Sequence, residues 1–310
     1  MQRRRWARGG RVAVLVGALA LVLTGCSAHD AEKKLRFGWP TGVTKQGEEM
    51  RVLWTWSGVA ALIVGVFVWG LIFWCCIRYR KRDDVLPRQT KYNLPIELVY
   101  SLAPFIIIAG LFYRTVVVED DVNKLSKHPD VLVQVDAFKW NWQFEYQQVH
   151  GTATDYAKTK TPLSTVGSDN EIPILVIPEG QTVQIIEHSE DVIHSFWVPE
   201  FLFKRDVIPY GPSHTSEDNR FEFTATHEGS FVGRCAELCG TYHSQMNFEV
   251  RVVDPAVFTK YLAELKTIGP ANPARQSLAL TAAGMKPRAT TTYPFNTDRT
   301  DRSASEKPGS

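Results

Sequence analysis

The sequence predicts a membrane-anchored all-β protein: an N-terminal two-helix transmembrane hairpin followed by an extracytoplasmic Greek-key β-sandwich. Two observations carry that expectation. Residues 54–77 and 94–118 are apolar runs long enough to cross a hydrocarbon core of about 30 Å, with a basic segment between them. From about residue 130 to 253 the chain then changes to short runs rich in β-branched and aromatic residues, broken by Gly, Pro, Asn and Asp.

Residues 1–25 read as a signal peptide. Arg3, Arg4, Arg5, Arg8 and Arg11 form the basic start, and residues 12–23 form the apolar core. Leu23-Thr24-Gly25-Cys26 resembles a bacterial lipobox. Cleavage before Cys26 would leave its sulfur to carry lipid, and residues 26–51 would be an extracytoplasmic N-terminal segment. The alternative is a plain signal anchor with an incidental cysteine.

The hairpin is assigned to residues 52–118. Its first span holds 24 residues without a charge, with Trp54, Trp56, Trp69 and Trp74 toward its ends. The stretch from Arg78 to Lys91 holds six basic and two acidic residues, so the loop 78–93 is expected in the cytoplasm. Everything after about residue 119 is then outside, as the signal peptide also implies. The expected location is the cell membrane, multi-pass. The net charge of +2 adds a basic signal peptide and inner loop to a more acidic outer region. The basic residues are used by topology, which excludes a nucleic-acid role.

In the outer domain, 119–253, strands are expected around residues 131–135, 142–146, 174–177, 182–186, 221–225 and 248–253. Residues 148–170 read as an inserted surface loop, 254–268 as an amphipathic helix, and 269–310 as a disordered tail with few apolar anchors.

Between Cys235 and Met246 lie Cys235, Cys239, His243 and Met246, with Glu237 between the cysteines. Thiolate, imidazole and thioether together favour copper, because zinc sites rarely recruit methionine. The second cysteine suggests two ions bridged by two thiolates. A further ligand must come from elsewhere, and His194 in Asp191-Val-Ile-His-Ser-Phe-Trp is the candidate. A Cys235–Cys239 disulfide, or zinc held with His194 and His243, would leave Met246 unexplained.

The Asp191-Val-Ile-His-Ser-Phe-Trp-Val-Pro run and the Cys-x3-Cys-x3-His-x2-Met loop together resemble the CuA motif of subunit II of haem-copper cytochrome c oxidases, over residues 50–253. The resemblance implies a cupredoxin fold and a dinuclear copper centre. In it, Cys235 and Cys239 bridge, and His194 and His243 each ligate one copper. Met246 ligates one ion weakly and the Glu237 backbone carbonyl the other, while the Glu237 side chain binds magnesium at the boundary with subunit I. By itself Glu237 also reads as a solvated loop carboxylate. Trp140, first in Trp-x-Trp-x-x-Glu-Tyr, aligns with the tryptophan that accepts the electron from cytochrome c, although aromatics alternating along a strand are usually core. Glu97, seven residues before Pro104, aligns with the mouth of a proton-uptake path, or is an interfacial carboxylate reaching water. The partners implied are subunits I and III, a c-type cytochrome, and a supercomplex with a cytochrome bc complex. No Cys-x-x-Cys-His is present, so no haem is expected on this chain. The sequence departs from the family at Ile208-Pro-Tyr-Gly-Pro212, where relatives carry Pro-Gly-Arg. Two other classes are a quinol oxidase subunit II, which lacks the copper ligands, and a membrane-anchored copper carrier or storage protein.

Overall fold

A computed structural model describes residues 39–81, 84, 86, 89–149, 163–209 and 219–292. The expected signal peptide, Cys26, most of the 148–170 insertion, Tyr210–Pro212 and residues 293–310 lie outside them. All the elements named below belong to the unit of residues 42–310.

Two long helices come first among the described residues, α1 (Lys45–Arg78) and α2 (Leu94–Asn123). Both are long and apolar enough to cross a membrane, and their apolar windows are unburied within this chain. Both also overrun the apolar runs. Thr44 caps α1, its Oγ1 accepting the Gly47 N–H at 2.9 Å, and Glu48 pairs with Arg51 one turn on. Helical bonding thus starts in a charged turn before Trp54. At the far end of α2, Val118 and Val122 are buried, and Val122 lines a small recess with Phe201, Phe203, Phe221 and Phe223. Pro104 sits inside α2, where it can donate no hydrogen bond to the Tyr100 carbonyl.

Ten strands follow among the described residues: β1 (Val131–Phe138), β2 (Asn141–Val149), β3 (Leu163–Val166), β4 (Ile174–Pro178), β5 (Thr182–Ser189), β6 (His194–Val198), β7 (Phe203–Val207), β8 (Arg220–Thr224), β9 (Gly229–Cys235) and β10 (Asn247–Val253). They form two five-stranded sheets, β3-β2-β1-β5-β8 and β4-β10-β9-β6-β7. The β1–β5 and β4–β10 pairs are parallel and the rest antiparallel. This is a cupredoxin-like sandwich. Alternation sets its faces: along β2, Trp142, Phe144 and Tyr146 point inward, while Gln143 and Glu145 are half exposed. Trp142, Phe144 and Phe196 pack on Phe248 at ring separations of 4.6–5.6 Å. Gly233 admits that ring: a Cβ there would lie 2.1 Å from it. Four short strands, β3, β6, β7 and β9, go beyond the six expected; alternation is weak in Phe203-Lys-Arg-Asp-Val207 and in a β9 that starts on glycine.

After the sandwich come α3 (Pro255–Ile268) and α4 (Arg275–Ala282). The expectation of a disordered tail over 269–310 is overturned for its first half. The anchors there are largely polar. Arg275 donates to the carbonyls of Leu265 and Ser164, at 2.9 Å each. Gln276 accepts from the Ile174 N–H at 2.8 Å. Farther on, buried Arg251 donates to the Lys286 and Arg288 carbonyls. Buried Glu249 takes the N–H groups of Thr290 and Thr291, at 2.6 and 2.8 Å. A count of apolar residues does not register such anchors.

Candidate metal centre

The donors converge at one end of the sandwich. His194 opens β6 and is fully buried, and Cys235 closes β9. The two meet because β6 and β9 pair, with Phe196 opposite Cys235. The Ala236 N–H donates to the Ser195 carbonyl at 3.0 Å and the Cys235 N–H to the Met246 carbonyl at 3.1 Å, pinning both ends of the loop.

Within it, Cys235 Sγ lies 3.8 Å from Cys239 Sγ, 3.9 Å from His194 Nδ1 and 3.2 Å from the Glu237 carbonyl oxygen. Cys239 Sγ lies 3.5 Å from His243 Nδ1 and 3.8 Å from Met246 Sδ. Both cysteines are free thiols, and both are buried together with Met246. The other four candidate donors thus surround the two thiol sulfurs. Glu237 itself is exposed.

Electrostatics favour a cation here. Burial, then the neighbouring Cys235, pushes the Cys239 thiol up to about 12. Two thiolates this close therefore require a positive charge. Burial also lowers His194, which keeps its imidazole neutral and free to ligate. His194 Nε2 is 2.8 Å from Asp191 Oδ1. The carboxylate can only accept, so Nε2 carries the proton and the Nδ1 lone pair faces Cys235. Burial acts to raise Asp191, but hydrogen bonds from His194 and from the Lys139 and Val192 N–H groups outweigh it and hold the group low. The residues fit a metal: two sulfurs 3.8 Å apart can share an ion at metal–thiolate bond lengths of about 2.3 Å.

Trp140, in the β1–β2 turn, packs over the loop. Its Nε1–H donates to the Cys239 carbonyl at 3.2 Å, and its ring meets Tyr242 edge-on at 4.8 Å. Gly240, at φ +118°, lies beneath it, where a Cβ would come within 3.3 Å of the indole. Trp142 donates to the Met246 carbonyl at 3.3 Å from within the core. Glu97 is not part of this assembly: it sits in the first turn of α2, accepting the Asn93 N–H at 2.9 Å, and the 30-residue helix spans about 45 Å. In the sequence Asp191 stood only as the first residue of the run that holds His194. The signal for its tie to His194 was there, a carboxylate three residues before the histidine.

Residues 131–253 match the family model for the periplasmic domain of cytochrome c oxidase subunit II. A probable cytochrome c oxidase subunit 2 of Nocardia farcinica is 45% identical, covering 97% of this chain and 91% of that protein. The chain belongs to the cytochrome c oxidase subunit II family. A subunit 2 of Mycobacterium tuberculosis is 42% identical over 94% of this chain and 91% of its own length. One of Corynebacterium diphtheriae is 38% identical over 97% and 96%. Among solved structures, the periplasmic domain of subunit II of cytochrome oxidase of Bradyrhizobium japonicum is 25% identical, covering 47% of this chain and 100% of that one, at TM-score 0.37. As a subunit II family member the chain is part of a haem-copper oxidase, an oxidoreductase complex, and the family implies copper.

Proposed function

We propose that this subunit accepts single electrons from a c-type cytochrome at a dinuclear copper centre and passes them to haem in subunit I, where oxygen is reduced and protons are pumped. The observation that carries the reading is the closing of four further donors, from two separate segments, around two free thiols 3.8 Å apart. Two coppers sharing thiolates would supply a one-electron site with the charge spread over both ions.

The protein's own part is to hold the donors still. Asp191 orients His194, β6–β9 pairing positions Cys235, and Trp142 anchors the Met246 backbone. Rigid ligands keep the cost of reorganisation low when the charge changes. Trp140 bridges surface and ligand loop through the Cys239 carbonyl, which supports its role as first acceptor. The exposed Glu237 carboxylate suits a magnesium ion shared with subunit I. Glu97 would stand at the mouth of a proton path. The unburied helix surfaces would meet lipid and subunits I and III. The topology would place the copper domain outside the plasma membrane, with Cys26 lipidated and a cytochrome bc complex alongside.

Copper analysis with an absorption spectrum of the full-length chain tests this. The expected result is two coppers per chain with the purple mixed-valence signature. One copper, or no such signature, would sink the dinuclear reading. Cys235→Ser should abolish cytochrome c oxidation in the assembled oxidase while the hairpin still inserts.

A further inference from the structure

A second cluster of ligating side chains lies outside the thiol loop. Asp136 in β1, His188 in β5 and Glu190 just beyond it bring one ligand atom each within 4.8 Å of one another. The sheet places them. In the parallel β1–β5 pair, Asp136 stands directly opposite His188. Val135, Ala137 and Ser189 beside them are buried, and alternation turns Asp136 and His188 to the outer face. The Glu190 N–H donates to the Ala137 carbonyl at 3.0 Å, so the chain beyond β5 stays beside β1 and its carboxylate reaches His188.

The spacing is that of ligands around an ion. His188 Nδ1 lies 3.5 Å from Asp136 Oδ1 and 3.4 Å from Glu190 Oε1. Both distances exceed the 2.7–2.9 Å or so of a charge-assisted N–H···O bond. They match the edge of a tetrahedron, since ligands bound at about 2.1 Å to one ion stand about 3.4 Å apart. Asp136 is only 7% exposed, and among the described residues it has no ion pair with Lys or Arg. Its orientation is set from behind: Gln134 Nε2 donates to Asp136 Oδ1 at 2.8 Å, and Gln147 Nε2 donates to Gln134 Oε1 at 2.7 Å. Metal-ligating carboxylates carry supporting hydrogen bonds of this kind.

We propose that Asp136, His188 and Glu190 form a binding site for one Zn2+ ion, separate from the thiol centre, with water completing the shell. One imidazole and two carboxylates suit this borderline ion, whereas calcium and magnesium favour oxygen-only shells. The ion would tie the strand that leads to Trp140 to the turn that carries Asp191.

Zinc titration by calorimetry tests the site, using the full-length chain in detergent in two forms. One is copper-loaded; the other is a Cys235→Ser, Cys239→Ser double variant, in which the metal loop offers no thiolate to compete. Each form should bind one equivalent of zinc. Asp136→Asn or His188→Gln should remove that equivalent with the circular dichroism spectrum unchanged, and Gln134→Leu should weaken binding by about 10- to 100-fold. No zinc uptake by the double variant would overturn the proposal and leave a histidine–carboxylate ion pair. Uptake unaltered by Asp136→Asn and His188→Gln would overturn it too, by placing the zinc elsewhere. If copper fails to load the thiol loop, the double-variant arm still decides.

Discussion

Asp191→Ala removes the acceptor that fixes the His194 tautomer without touching any donor in the sulfur cluster. In the native chain Nε2–H is held at 2.8 Å and Nδ1 faces Cys235 at 3.9 Å. Without the carboxylate the imidazole can carry its proton on either nitrogen, and only one of those states ligates. Loss of such a supporting partner typically weakens metal affinity by about 10- to 100-fold, which is about 1.4–2.7 kcal/mol. The same substitution frees the Lys139 and Val192 N–H groups, bonded at 2.8 and 2.6 Å. Asp191 is 30% exposed, so water can replace it there, and the cost to folding should be about 1 kcal/mol per bond. Asp191→Asn keeps one carbonyl acceptor and should fall between. Copper competition against a chelator measures the first effect, and urea unfolding of the copper-free chain the second. Copper affinity within twofold of wild type in Asp191→Ala would refute the orienting role.

Gly233→Ala would drive a methyl group into the fully buried Phe248 ring, so a loss of about 1–3 kcal/mol is expected in thermal unfolding, with copper binding retained. Glu249→Ala leaves Arg251 buried without its 2.7 Å partner and frees Thr290 and Thr291; a loss of about 3–5 kcal/mol and early proteolysis after residue 282 should follow. Tyr146 and Tyr261 are both raised, chiefly by burial. Folded phenols that hold their protons above the ordinary tyrosine value of about 10 contribute stability that is complete below it and lost as pH rises through it. Stability measured by urea should therefore fall above about pH 10, and the slope should flatten in Tyr261→Phe. An equal slope in that variant would exclude Tyr261 as a source.

The soft-donor loop could be read from sequence because its four side-chain donors lie within twelve residues of one another. His194 stands 41 residues from Cys235, and its place beside the sulfurs depends on β6–β9 pairing. Helical spans were legible from uninterrupted apolarity; their ends were not, since Thr44 and Val122 act through a cap and through packing against the sandwich. The ordered stretch to residue 292 was invisible for the reason given by Arg251 and Glu249. Its anchors are buried polar groups reaching backbone atoms 35 to 42 residues away.

The hairpin, the β character of the outer domain and the four soft side chains of the 235–246 loop are written in the sequence, because each rests on residue type at short spacing. Tertiary structure decided which nitrogen of His194 faces the sulfurs, why Gly240 lies under Trp140, and that Asp136 meets His188 across two strands. Asp191 sets the first; the other two join segments far apart in the chain, which only strand pairing and loop placement bring together.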